Sequence, residues 1–240
     1  MNLIKINYGS ETAELNMSID ANLAEKSAIE EVSFYRIYGW KSPSVTTGYF
    51  QKQNDSINLD YCKKNNIPVV KRPTGGKAIL HDNDFTFAVI INNNLLNFSK
   101  IADYYRLTNS ALNASLNELK IGSLININKQ KINVKDPVCF NHTSDYELEW
   151  NGKKIVGTAI RKFNKCVLIQ GNLPMKINYK LYSEIFYTEV ENLRTSFCGL
   201  NEITAAENIN LKFGEDFIEK LSDIFYRNLS SEIKKNGIVK

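Results

Sequence analysis

The sequence predicts an α+β fold, and three observations carry that prediction. Short apolar runs of strand length are mixed irregularly with helical segments. Asn151-Gly152 sits between two alternating runs, the mark of a tight antiparallel hairpin. From Ile101 to Leu119, by contrast, apolar residues recur at three and four positions, which is one long amphipathic helix. Hairpins among strands, with helices between, argue against a doubly wound parallel sheet.

Taken in order, Ser18–Lys26 reads as a short helix with Ser18 as its cap. Strands follow at Phe34–Tyr38 and Val45–Phe50, parted by the turn residues Lys41-Ser42-Pro43. A short helix over Leu59–Asn65 leads to a strand at Ile67–Lys71, which Pro73–Gly76 interrupt. Strands resume at Lys77–Leu80 and Phe85–Ile91. The amphipathic helix, opening near Ser99, comes next. In Tyr146-Glu147-Leu148-Glu149-Trp150 apolar and charged residues alternate, Asn151-Gly152 turns the chain, and Lys153–Ala159 returns. Both central residues of that turn tolerate positive φ, so a type I′ turn is expected. Cys166–Gln170 is a further strand and Phe213–Leu229 a terminal helix.

Composition narrows the function classes. The 240 residues allow one large or two small domains. With 43% hydrophobic and 23% charged residues, wholesale disorder is excluded. The longest apolar run, Phe85–Ile91, is far short of the ~18 residues of a membrane span. The first residues have no apolar signal-peptide core, so a cytoplasmic protein without membrane attachment is expected. Four scattered cysteines without a CxxC pair, and two histidines, argue against a disulfide framework and a metal centre. Thirty basic and 26 acidic side chains leave a net charge of +4, which suits an acidic protein as well as nucleic acid.

Three motifs carry chemistry. Arg72-Pro73-Thr74-Gly75-Gly76-Lys77-Ala78-Ile79-Leu80-His81-Asp82 lies between two strands. Its glycines allow close backbone approach to a ligand, and Arg72 is placed to add a charge-assisted bond. It is neither a P-loop nor a GxGxxG fingerprint. The competing reading is an ordinary hairpin turn, and spacing alone leaves both open. Second, Cys139 sits in the polar, proline-containing loop Asp136-Pro137-Val138-Cys139-Phe140, with His142, Lys153 and Lys154 near enough in sequence to favour a thiolate. A small buried apolar residue is the usual fate of a free cysteine, so this too stays open. Third, Gly152–Ala159 (GKKIVGTA) places Lys154 and Val156 on one strand face, Lys153 and Ile155 on the other, and Gly157 breaks the strand. Both lysines can equally be solvated edge charges. His81 either relays a proton at the turn or satisfies a strand end. The aromatics Phe34, Tyr35, Tyr38 and Trp40 either line a pocket or fill the core.

Together these strings are specific. Asn16–Leu23 (NMSIDANL), the Tyr38–Gln51 region, RPTGGKAILHD, Cys139–Leu148 (CFNHTSDYEL) and GKKIVGTA follow one another over about Asn16–Leu173. In that order the chain resembles the biotin/lipoate protein ligase catalytic-domain family, in its octanoyltransferase and lipoate–protein ligase branch. The resemblance implies a class II biotin/lipoate ligase-like fold, a mixed β-sheet flanked by helices around an acyl tunnel. It implies one catalytic domain over residues 1–240 with no separate accessory C-terminal domain, and by default a monomer. Lys77 stands where lipoate ligases commonly carry a third glycine, and Cys139-Phe140 with Tyr146-Glu147-Leu148 match the cysteine-dependent octanoyltransferases. One departure is Thr143, where that pattern has proline before the serine at 144.

The activity implied is octanoyl transfer from acyl carrier protein to a lysine of a lipoyl domain, through a thioester on the enzyme. Cys139 is the implied nucleophile and Lys154 its partner. Arg72, Thr74, Gly75, Gly76, Lys77, Ala78, His81, Gly157 and Ala159 are the implied substrate-binding set, with no metal. Expected partners are acyl carrier protein and apo lipoyl-domain proteins, such as glycine cleavage H protein and 2-oxoacid dehydrogenase E2, rather than nucleic acid or membrane. Octanoyl transfer needs no cofactor. The alternatives are an ATP-dependent lipoate ligase, which would use ATP and Mg with lipoate, and a lipoyl amidotransferase.

Overall fold

The longest apolar run of the sequence becomes the central strand of the main sheet. In the computed structural model, which describes residues 3–51, 56–122, 125–129 and 145–237, Phe85–Ile91 lie within β6 (Asn83–Asn92). On one side β6 pairs antiparallel with β2 (Ser33–Trp40), and on the other with β11 (Cys166–Lys176). Outside these lie β1 (Leu3–Glu11), parallel to β2, and β10 (Gly157–Lys162), antiparallel to β11. The order β1-β2-β6-β11-β10 makes a mixed sheet, as expected.

Helices cover both faces, which is why β6 is apolar without alternation. Helix α1 (Ala13–Glu30) packs on the face carrying Phe34, Tyr38, Ala88, Ile90 and Leu168. Helices α3 (Ile101–Glu118) and α7 (Glu215–Asn236) cover the face of Tyr35, Ile37, Phe87, Val89 and Ile169. A second sheet, ordered β4-β3-β5, comprises β3 (Ser44–Thr47), β4 (Val69–Lys71) and β5 (Ile79–His81). It packs with α2 (Leu59–Lys64), α4 (Tyr179–Phe186) and α5 (Val190–Ser196) around Val45, Ile79, Ile185 and Phe197. Helix α6 (Leu200–Ala206) precedes α7.

The hairpin forms as expected. β8 (Asp145–Trp150) pairs with β9 (Lys153–Lys154) and with β7 (Ile125–Lys129), and Asn151 and Gly152 have φ of 48° and 75°. Alternation stops at Lys154, however, because the chain leaves this sheet for β10. Ile155 and Val156 are therefore both buried, where a continuous strand would put them on opposite faces. Two further expectations are corrected. Helix α1 starts five residues before Ser18 and is capped by Thr12, whose Oγ1 accepts the Leu15 amide at 3.3 Å; Ser18 is an exposed position within the helix. Three short helices, α4 to α6, stand between β11 and the terminal helix; at eight residues or fewer they show too little periodicity to be read.

Candidate active site

Where the two sheets meet, a cavity opens beneath the glycine turn. Its walls come from α1 (Met17), β2 (Tyr38), β3 (Thr46), β5 (Ile79, His81), β6 (Thr86), β10 (Gly157, Thr158, Ala159), β11 (Gln170, Asn172) and Arg72. Two motifs about eighty residues apart in sequence thus wall one space. The space is narrow, about 30 Å³, room for about two waters.

The turn is held from inside. Arg72 is buried, and its guanidinium donates to the carbonyls of Gly75 (2.6 Å), Lys77 (2.8 Å) and Thr46 (3.2 Å). Arg72, expected as a ligand contact, has a structural role here: its fork fixes the loop. Gly76 has φ +87°, and a Cβ there would lie 2.7 Å from Arg72 Nη2. The backbone also packs tightly against Gly48, where a Cβ would sit 1.8 Å from the Gly76 carbonyl oxygen. Arg161 clamps the outside, donating to the Pro73 carbonyl at 3.0 Å and stacking on Tyr49.

Deeper in, His81 is buried and stacked on Trp40 at 3.9 Å. Its Nδ1 faces Asp84 Oδ2 at 3.1 Å and its Nε2 faces Thr46 Oγ1 at 2.9 Å. The carboxylate only accepts, so Nδ1 carries the proton and Nε2 takes the Thr46 hydroxyl. Asn172 also donates to Asp84. Burial pushes His81 below the ordinary histidine range; Asp84 opposes this, and Arg72 adds to it. His81 is therefore neutral near pH 7.

Of the expected binding residues, Arg72, His81, Gly157 and Ala159 line the cavity. Thr74 reaches it through Gln170, bonded at 2.6 Å, while Ala78 faces the second apolar cluster. Lys154 is buried in an ion pair with Glu147 at 2.7 Å and is not one of the cavity's walls. Cys139 and His142 lie outside the described residues. The three other cysteines are buried: burial raises Cys62 and Cys166, and burial with Glu202 pushes Cys198 up to about 12. Among the described residues, no cluster of His, Cys, Asp and Glu is arranged for a metal, and no helix is long and apolar enough to cross a membrane.

Sequence reasoning passed over Thr46, Thr86, Gln170 and Asn172 as wall residues. The available signal was polar side chains at positions two apart in otherwise apolar strands, such as Gln170 and Asn172 in β11. Of the aromatic cluster, Phe34 and Tyr35 are core, Tyr38 is wall, and Trp40 supports His81.

This chain belongs to the lipoyl protein ligase A/B catalytic domain family, whose pattern matches residues 12–225. Octanoyltransferase LipM of an Exiguobacterium species is 31% identical over 82% of this chain and 74% of that protein. Octanoyltransferase LipM of Staphylococcus aureus is 28% identical over 95% of this chain and 87% of its own length. Among solved structures, lipoate-protein ligase A bound with ATP shares the fold, with a TM-score of 0.73 at 20% identity over 97% of this chain and 85% of that one.

Proposed function

We propose that this protein is an octanoyltransferase of protein lipoylation, moving an octanoyl group from acyl carrier protein to a lysine of a lipoyl domain. The observation that carries the reading is the joining of the Arg72–His81 and Gly157–Ala159 motifs around one cavity, in a chain whose relatives are named octanoyltransferases. Cys139 is the proposed nucleophile, from its sequence motif; the raised thiols of Cys62, Cys166 and Cys198 make them poor alternatives. Residues 1–240 are read as one catalytic domain, supported by an apolar cluster whose members range from Leu3 to Ile233 and so draw on both ends of the described chain.

In the first step the Cys139 thiolate attacks the carrier thioester carbonyl. A new C–S bond forms, the old one breaks, and the carrier leaves as a thiolate that takes up a proton. Thioester exchange is nearly thermoneutral. In the second step the acceptor lysine's amine attacks, a C–N bond replaces the bond to Cys139, and the amine loses a proton. Amide formation drives this step. Lys154 is proposed to steady the thiolate and the acyl carbonyl; an ammonium has three donors, so it can do this while keeping Glu147. The Gly75–Gly76 turn is proposed to lie along the acyl chain, with Thr74, Lys77, Ala78, His81, Gly157 and Ala159 completing the binding set. Burying eight carbons supplies roughly 5 to 6 kcal/mol before binding costs. The cavity must widen to take them, and Met17, unbranched and adaptable, is the wall best able to swing aside. Acidic acyl carrier and lipoyl domains suit the +4 charge, and no cofactor is called for.

Replacing Cys139 tests this. Cys139→Ala is expected to lower octanoyl transfer to an apo lipoyl domain by about a thousandfold or more. If Cys139→Ala instead attaches lipoate in the presence of ATP and Mg, the protein is a ligase and the reading is wrong.

A further inference from the structure

A chain of buried polar contacts runs from α1 to the glycine turn and passes through Asp20, so far without a role, and the wall residue Gln170. Asp20 is fully buried. Its carboxylate takes Arg36 Nη1 at 2.5 Å and the Tyr38 hydroxyl at 2.9 Å. Arg36 is steadied in turn by Asn16, whose Oδ1 accepts Nη2 at 2.6 Å and whose main-chain carbonyl accepts Nη1 at 3.2 Å. Asp20 Oδ2 also accepts from Gln170 Nε2 at 2.7 Å.

Burial raises the Asp20 carboxyl, and Arg36, Gln170 and Tyr38 oppose this. With the Arg36 guanidinium on Oδ1 and the Tyr38 hydroxyl on Oδ2 the group acts as an acceptor, so Gln170 turns its amide nitrogen toward Asp20 and its oxygen away. That oxygen stands 2.6 Å from Thr74 Oγ1, which is then the donor. The Thr74 carbonyl accepts the Tyr49 amide at 2.8 Å, fixing the residue at both ends. Every proton in the relay is thus assigned from the charged end outward, and an amide flip at Gln170 would break two bonds at once. Residues 72–77 lie outside any strand, so ladder bonding does not hold the turn. Arg72 grips it from within, and the relay grips it at Thr74.

We infer that Asp20 and Gln170 are positioning residues that act through Thr74 to hold the Gly75–Gly76 turn in register with the cavity. What the held turn accomplishes, acyl transfer, rests on the function proposed above; the holding itself does not.

The test uses Gln170→Leu, Thr74→Val and the double variant. Amide exchange read by mass spectrometry over residues 72–80 is expected to quicken about tenfold in each single variant, with α7 unchanged. The double variant is expected to exchange no faster than the faster single, because both remove the same link. Asp20→Asn, which permits the Gln170 flip, is expected to loosen the same peptide. In octanoyl transfer, kcat is expected to fall about tenfold with KM changed by less than about twofold, again without additivity. Thr74→Ser, which keeps the hydroxyl, is expected to restore most of what Thr74→Val loses. Unchanged exchange at the turn, or additive effects in the double variant, would overturn the inference. If the wild-type protein transfers no octanoyl group, the proposed function fails, and the exchange arm decides the relay alone.

Discussion

His81 is buried between Trp40, Thr46 and Asp84, and burial lowers its affinity for a proton. The unfolded chain binds that proton more readily, so protonation favours unfolding. The contribution of His81 is fully present above the unfolded value near ~6.5 and is lost as pH falls through it. Between about pH 7.5 and 5.5 the wild type is therefore expected to lose more stability than His81→Gln in urea titrations. Parallel loss in the two proteins would show that His81 does not titrate as described. Lys154 poses a different problem, because it is buried against Glu147 in an ion pair. Removing one partner of a buried ion pair is destabilising, so activity lost at Lys154 has to be weighed against stability lost there.

At the scale of elements, the glycine turn depends on β3 as much as on its own sequence. The Gly48–Gly76 approach leaves no room for a methyl group, because a Cβ on Gly48 would overlap the Gly76 carbonyl. Gly48→Ala is expected to cost about 1 to 3 kcal/mol by chemical denaturation and to lower transfer activity as the turn shifts. An alanine variant of unchanged stability would mean that the turn moves freely. The strands of this region were legible because β6 is a mostly apolar run and Asn151-Gly152 demands a hairpin. The limits of α1 were not. Its buried positions include Asn16, Asp20 and Ser27, polar residues that blur the apolar stripe until their partners Arg36 and Asn92 are seen. β1 escaped notice because it is an edge strand whose place is set by parallel pairing with β2, a nonlocal choice.

For the whole molecule, the sequence places the motifs in order but not in space. Arg72–His81 and Gly157–Ala159 could be named as site motifs from residue types alone. Their meeting follows from the antiparallel pairing of β10 with β11 and of β11 with β6, and from β3 and β5 contributing walls to the same cavity. The polar walls Thr46, Thr86, Gln170 and Asn172 come from three different strands, and register brings them together. The central claim is chemical: acyl transfer passes through a covalent thioester on this chain. Intact-mass analysis of the purified protein mixed with octanoyl-acyl carrier protein, without ATP, reads that intermediate directly. The account predicts a gain of one octanoyl group that localises to Cys139 and disappears when an apo lipoyl domain is added. A lipoyl domain that becomes octanoylated while the enzyme never gains mass, even when quenched early in turnover, would contradict it.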